Sequence, residues 1–278
     1  MALRILIRGA GDLATGVAAE LKERGHQIVM TEIAIPLTVR RQVACSRAVY
    51  EKKAVIENHT AVLVQNETEI KAVLGKNQIA VLVDPEGEIR TRMHFDVIVD
   101  AIMAKKNLGT SMADGPCVIA LGPGFMAGED VDYVIETMRG HNLARVISRG
   151  AALPNTGVPG VIAGFGKERV IHAPAAGEIH CISKIADIVE KDQILAWIGD
   201  VPVRASLTGV LRGIIRDGFT VPKGMKIADI DPRKEQKKNC FTISDKARCI
   251  AGSVLEILLS EGVMPYETSD RFSGITAD

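Results

Sequence analysis

Residues Leu3–Gly16 read LRILIRGAGDLATG, and the fold turns on how this stretch is interpreted. Leu3, Ile5 and Ile7 alternate with Arg4, Leu6 and Arg8 in a short, mostly apolar run, which predicts a buried strand. The run ends at Gly9, Ala10 and Gly11, and helical spacing follows from Asp12 to about Arg24. Strand, glycine turn and helix in that order are the opening of a dinucleotide-binding βαβ unit. In that reading Gly9 permits the sharp turn, while Gly11 lets a pyrophosphate approach the amides at the positive helix end, beside Arg8, Leu13 and Ala14. Asp12 qualifies the reading, because a carboxylate at the helix start competes with a bound phosphate for the same amides.

Working outward, Gln27–Thr31 predicts a second strand ending at Glu32, about 20 positions past the glycine loop, where an acidic side chain would hold a ribose 2′-hydroxyl. Glu32 points to NAD, whereas the neighbouring Arg40 and Arg41 offer a site for the 2′-phosphate of NADP. Pro36–Val43 reads as a short helix, and residues 54–75 as short strands followed by a helix at Glu67–Leu74. The apolar runs Ile79–Val83 and Phe95–Met103 suit central parallel strands. Ligands of open α/β sheets bind beyond the carboxyl ends of such strands. That places the polar string Ala104–Thr110, with Lys105, Asn107 and Thr110, among the candidate cofactor contacts. Asp100, inside an apolar strand, needs a partner or a ligand, and Asp100 and Lys105 are the candidate acid/base residues. Cys117–Leu121 predicts a further strand. Gly122, Gly124 and Phe125 form a second glycine loop before a predicted helix at Glu129–Met138, closed by Arg139 and His141.

An ungapped repeat occupies residues 171–231. An offset of 32 positions places Ala173 on Ala205, Gly177 on Gly209, Ile179 on Leu211 and Leu195 on Ile227. Short alternating segments between Gly, Pro and Asp turns predict strands, and two such halves predict a closed β-structure. The strings VIHAPAAGEI, DIVEKDQILAWIGD and TGVLRGIIRDGFTVPKGMKIADID resemble a biotinyl/lipoyl-type barrel-sandwich domain. Trp197–Arg204, where that family carries its modified lysine, has none, so no covalent biotin or lipoate is expected. Beyond the charged run Lys234–Lys238, Ser244 caps a C-terminal helix with Asp245 in its first turn.

Composition bounds the function. The 278 residues suffice for about two domains. Thirty-four basic residues balance 34 acidic ones, which argues against a nucleic-acid partner. The arginines at 4 and 8 break the first apolar run, which argues against a signal peptide or membrane span. Cys45, Cys117, Cys181, Cys240 and Cys249 show no C-x-x-C spacing, so reduced cytoplasmic thiols are expected rather than a metal site.

The strings RGAGDLATG, DAIMAKKNLGT, LGPGFMAGEDVDYVIETMRGH, PNTGVPG, GMKIADIDPR and TISDKAR together resemble the YqeB-like accessory proteins of selenium-dependent molybdenum hydroxylase systems. That resemblance implies a maturation or cofactor-supply role, with a molybdenum hydroxylase or its maturation machinery as partner and a nucleotide form of the molybdenum cofactor as one ligand. It carries over no catalytic residue. The expected fold is α/β: a Rossmann-like parallel sheet, a second βα glycine-loop unit and a small all-β barrel-sandwich domain. The expected domains are 1–110 for nucleotide binding, 111–166 with 233–262 for the second unit, 167–232 for the β domain and 263–278 for a tail. Three functions stand in order: an accessory protein binding NAD(P) or another nucleotide-bearing cofactor, an NAD(P)-dependent oxidoreductase, and a non-enzymatic scaffold.

Overall fold

The computed structural model describes residues 2–263, so all of the expected tail except Val263 lies outside the described residues. The chain begins with β1 (Arg4–Arg8), α1 (Asp12–Glu23) and β2 (Gln27–Glu32). Short α2 (Ala48–Glu51) precedes β3 (Lys53–Ile56), β4 (His59–Val64), α3 (Glu67–Gly75) and β5 (Ile79–Val83). Then come α4 (Ile89–Arg92), β6 (Val97–Asp100), β7 (Val118–Leu121), β8 (Tyr133–Ile135) and β9 (Val146–Ile147). These nine strands form one sheet in the order β3-β4-β5-β2-β1-β6-β7-β8-β9. The pairs from β4 to β8 are parallel, and the outer pairs β3–β4 and β8–β9 are antiparallel.

The two-residue strand period sorts the apolar side chains. Ile5, Ile7, Ile28, Met30 and Val99 enter the core beneath α1, whereas Leu6, Val29 and Ile98 enter the opposite core with Ile70 and Leu74 of α3. Burial on both faces explains why these strands read as nearly continuous apolar runs.

The Rossmann-like parallel sheet is corrected by this topology. The sheet is mixed and antiparallel at both edges, and no α-helix connects β6 to β7 or β7 to β8. Beside α1, the face is covered by α5 (Asp245–Ser260), far along the chain. The two helices approach so closely that a Cβ on Gly16 would lie 2.7 Å from the Cβ of Ala247. The second βα glycine-loop unit is corrected too. Residues 129–138 contain β8 instead of a helix, because their acidic groups cap turns: Asp130 accepts from the Met126 amide at 2.8 Å and Asp132 from the Val118 amide at 2.7 Å. With no helix there to cap, Arg139 pairs with Asp245 and His141 lies in a turn. The expected helix at 36–43 is only a 3-10 turn at Arg41–Val43.

The repeat supplies β10 (Val170–His172), β11 (Gly177–Cys181), β12 (Ile188–Val189), β13 (Ile194–Ile198), β14 (Val201–Arg204), β15 (Gly209–Ile214), β16 (Phe219–Val221) and β17 (Lys226–Asp231). They form two four-stranded antiparallel sheets, β10-β17-β15-β12 and β14-β13-β11-β16, around one core. Ile179, Leu195, Leu211 and Ile227, which the repeat relates in pairs, are fully buried in it. The closed barrel-sandwich is therefore corrected to two sheets whose edges, β10, β12, β14 and β16, are short, which itself limits edge pairing. Nor do these sheets stand apart from the large one: Arg41 Nε donates to the Ile214 carbonyl at 3.1 Å, and a Cβ on Gly213 would lie 2.8 Å from the Val39 carbonyl oxygen. Among the described residues no helix is long and apolar enough to cross a membrane.

Candidate functional site

A cleft of about 990 Å³ opens at the carboxyl ends of β1, β2, β5 and β6. Gly9, Gly11, Asp12, Leu13 and Ala14 form one wall, with Thr31 to Ile33, Asp84 to Glu86 and Ala101 to Met103 as its floor. The opposite wall is Leu37 to Arg40, with Lys226 and Asp229 from β17. The volume is that of a site for a drug-sized molecule.

The two loop glycines have different reasons to be glycine. Gly9 has φ +94°, and a Cβ there would lie 2.8 Å from the Ala101 carbonyl, so the fold itself requires it. Gly11 has φ −68°, which any residue adopts, and the only atom a Cβ would meet within 4 Å is Thr38 Oγ1 at 3.9 Å. Neither backbone nor packing requires glycine there; the missing side chain leaves room in the cleft. Gly11 also caps α1 without a side-chain bond, and the amides of Leu13 and Ala14 find no acceptor among the described residues. Thr15 and the loop at Cys45–Ser46 fix the glycine turn from behind: Thr15 Oγ1 donates to the Gly11 carbonyl at 2.8 Å and accepts from the Cys45 amide at 2.9 Å, while the Ser46 amide donates to the Ala10 carbonyl at 2.8 Å.

Glu32 lies in the floor but is engaged by the protein. It accepts from the Ala10 amide at 3.0 Å and the Ile33 amide at 2.8 Å. Burial pushes its carboxyl above the usual range, against the pull of the Ile33 and Ala10 hydrogen bonds. Asp84 accepts from the amides of Glu88 and Ile89 at 2.9 and 2.8 Å and so shapes the turn into α4. Asp12 is paired with Arg40 at 3.3 Å. In all, Asp12, Glu32, Asp84, Glu86 and Asp229 line the cleft with Arg40 and Lys226 as its cations, and Asp229 is paired from behind with Arg169 at 3.3 Å.

The remaining expected contacts lie behind or away from this cleft. Arg8 is fully buried; it donates to Thr110 Oγ1 and to the Leu108 carbonyl at 3.1 Å and lies 3.6 Å from Asp100. Thr110 Oγ1 donates to Asp100 at 2.6 Å, and the Ile102 amide to its other oxygen at 3.2 Å. Burial raises the Asp100 pKa, opposed by Thr110, Ile102 and Arg8. Asn107 turns inward on its own loop, accepting from the amides of Gly109 and Thr110 at 2.9 Å. Lys105 is exposed, with φ +63°. Gly122 and Gly124 serve close packing, since a Cβ on either would lie 2.6 Å from Thr137 Oγ1 or the Lys106 nitrogen. Phe125 is in the core with Val131 and Val134. Sequence reasoning missed the far wall, Thr38, Val39, Lys226 and Asp229, because β17 reaches the cleft only through tertiary packing. Also missed was Lys246 of α5, a half-buried lysine whose pKa burial lowers despite the nearby Asp12 and Glu136 carboxylates.

No family model matches the chain. A protein of Escherichia coli (strain K12), named "Uncharacterized protein YqeB", is 45% identical over 255 residues, which are 92% of this chain and 47% of that protein. This chain is a homologue of YqeB. It spans about half the length of that curated relative. Among solved structures, an aspartoacylase family protein from Mesorhizobium loti is 11% identical, with 83% of this chain and 85% of its own covered and a TM-score of 0.27. A succinylglutamate desuccinylase/aspartoacylase from Rhodobacter sphaeroides is also 11% identical, over 82% and 85%, with a TM-score of 0.26. TcdA (CsdL) is 8% identical over 94% and 88%, with a TM-score of 0.33. Superpositions this loose transfer neither fold nor activity. The mixed sheet, antiparallel at both edges, overturns the Rossmann expectation. The name of the YqeB relative gives no support to the selenium-dependent molybdenum hydroxylase role.

Proposed function

We propose that the chain is a binding protein for a small molecule carrying one phosphate and neighbouring hydroxyl groups, the chemistry of a nucleotide-bearing cofactor. The observation that carries this reading is Gly11, a glycine demanded by neither backbone nor packing whose Cα faces an open cleft. The unaccepted amides of Leu13 and Ala14 at the start of α1 suit a phosphate oxygen. Glu32 and Asp84 keep lone pairs for hydroxyl donors. With Asp12 paired to Arg40 and Asp229 to Arg169, the carboxylates Glu32, Asp84 and Glu86 still outnumber the one remaining cation, Lys226, and disfavour a second phosphate group. The five unpaired cysteines support a reducing, cytoplasmic setting as part of the same proposal.

Calorimetric titration with adenosine monophosphate, and with adenosine as the phosphate-free control, tests the reading. Saturable binding of the nucleotide, weaker for the nucleoside and abolished in Gly11→Leu, is expected. Leucine at an N-cap costs about 1 kcal/mol relative to the favoured capping residues, so that variant stays folded. No heat and no change in melting temperature with adenosine, cytidine or guanosine monophosphate would leave the cleft without this function.

A further inference from the structure

A second cavity, of about 640 Å³, is bounded by the end of β17, the 3-10 turn at Lys234–Cys240 and the start of α5. Four arginines line it, Arg139, Arg212, Arg233 and Arg248, against only two carboxylates, Asp231 and Asp245. In a chain whose charges balance, this is a local excess of positive charge.

Both carboxylates are already committed. Arg139 holds Asp245 through two bonds of 2.7 Å, and Arg233 holds Asp231 through bonds of 2.9 and 2.8 Å. Arg248 pairs at 2.8 Å with Glu57, which is not part of the lining. Arg212 alone makes no hydrogen bond or ion pair among the described residues, and its Nε is buried without an acceptor. The buried, unaccepted Nε is costly, and the terminal nitrogens of this half-buried, unpaired arginine are left for an oxyanion to accept from. Asn239 and Thr242 add polar side chains to the same wall. Arg40 separates this cavity from the cleft, donating to the carbonyls of Asn239 and Thr242 at 3.2 and 3.3 Å while pairing with Asp12 on the cleft side.

We infer that this cavity is a second binding site, for a phosphate group, with Arg212 as the residue that receives it. It goes beyond the cleft and does not depend on what the cleft binds.

Calorimetric titration of the full chain with inorganic phosphate at low ionic strength tests it, with acetate as the monovalent control. Phosphate is expected to bind saturably, more tightly than acetate, and to weaken as salt is raised. Arg212→Met should weaken phosphate by about 10- to 100-fold, the loss of a charge-assisted hydrogen bond. Arg212→Lys should recover part of that loss. Arg248→Met, at a more exposed position, provides a second variant with a smaller loss if Arg212→Met fails to fold. Gly11→Leu, which closes the cleft's own phosphate approach, is the background in which this cavity is read alone, and there phosphate should still bind saturably and Arg212→Met should weaken it to the same extent. The inference is overturned by absence of saturable phosphate binding in Gly11→Leu, or by unchanged affinity when Arg212→Met is added to Gly11→Leu.

Discussion

Replacing Arg8 by methionine tests the reading of the Arg8–Thr110–Asp100 cluster as a structural lock behind the cleft. Methionine keeps the apolar stem but removes the guanidinium, leaving Asp100, 2% exposed, with only Thr110 and the Ile102 amide. Breaking a buried pair from one side costs about 3–5 kcal/mol, because the surviving charge stays buried. For a chain of this size that corresponds to roughly 6–20 °C in melting temperature. The pH dependence carries the sharper signature. Burial holds the Asp100 pKa above its unfolded value, so its contribution to stability is fully present below the unfolded carboxylate pKa and lost as pH rises through the folded one. Arg8 is one of the groups that pull the Asp100 pKa down, so in Arg8→Met it climbs further and the variant's deficit widens from acid toward neutral pH. Urea denaturation of both proteins from acid to neutral pH measures this. A loss below about 1 kcal/mol that does not vary with pH would refute the lock, since that is the range of an exposed pair.

Gly16→Ala should destabilise by about 1–3 kcal/mol through overpacking against Ala247, whereas Gly11→Ala meets no packing clash and should cost no more than the loss of a favoured N-cap residue, about 1 kcal/mol or less; denaturation of the two variants side by side checks the contrast. Arg139→Gln should remove part of the stability change in acid. Asp245 has its pKa lowered chiefly by Arg139, so its contribution is present above the unfolded carboxylate pKa and lost as pH falls; with Asp245 largely exposed, the loss should stay below about 1 kcal/mol in pH-dependent melting. Thiol labelling at pH 8 should be fast at exposed Cys249 and slow at Cys45 and Cys117, whose pKa values burial pushes up to about 11 and about 12; mass spectrometry of the labelled chain reads the order.

What the sequence disclosed followed from local periodicity. β1, β5 and α1 were legible because their apolar spacing reports burial directly, and Ser244 announced α5 through its bond to the Ala247 amide at 3.2 Å. Residues 129–138 misled because Glu129, Asp130 and Asp132 imitate an acidic helix start, while Asp130 and Asp132 in fact accept from the amides of Met126 and Val118. Glu32 stood at the position expected of a ribose ligand, yet a sequence cannot show that the Ala10 amide already occupies it. Other determinants are long-range. Arg40 reaches Asn239 and Thr242 across about 200 positions, and α5, far along the chain, covers the face beside α1. Arg212 left no signal, because its distinction is a partner it lacks.

The strand exchange within the repeat bears on how this region assembles. Residues 170–198 supply β10 to β13 and residues 201–231 supply β14 to β17, yet each four-stranded sheet takes two strands from each half. Neither 32-residue half contains a finished sheet. A chain emerging from the ribosome therefore completes neither of these two sheets until β17 has been made, and a single cut at Gly199 would leave each half of the repeat without a finished sheet, able to complete one only in the other's presence.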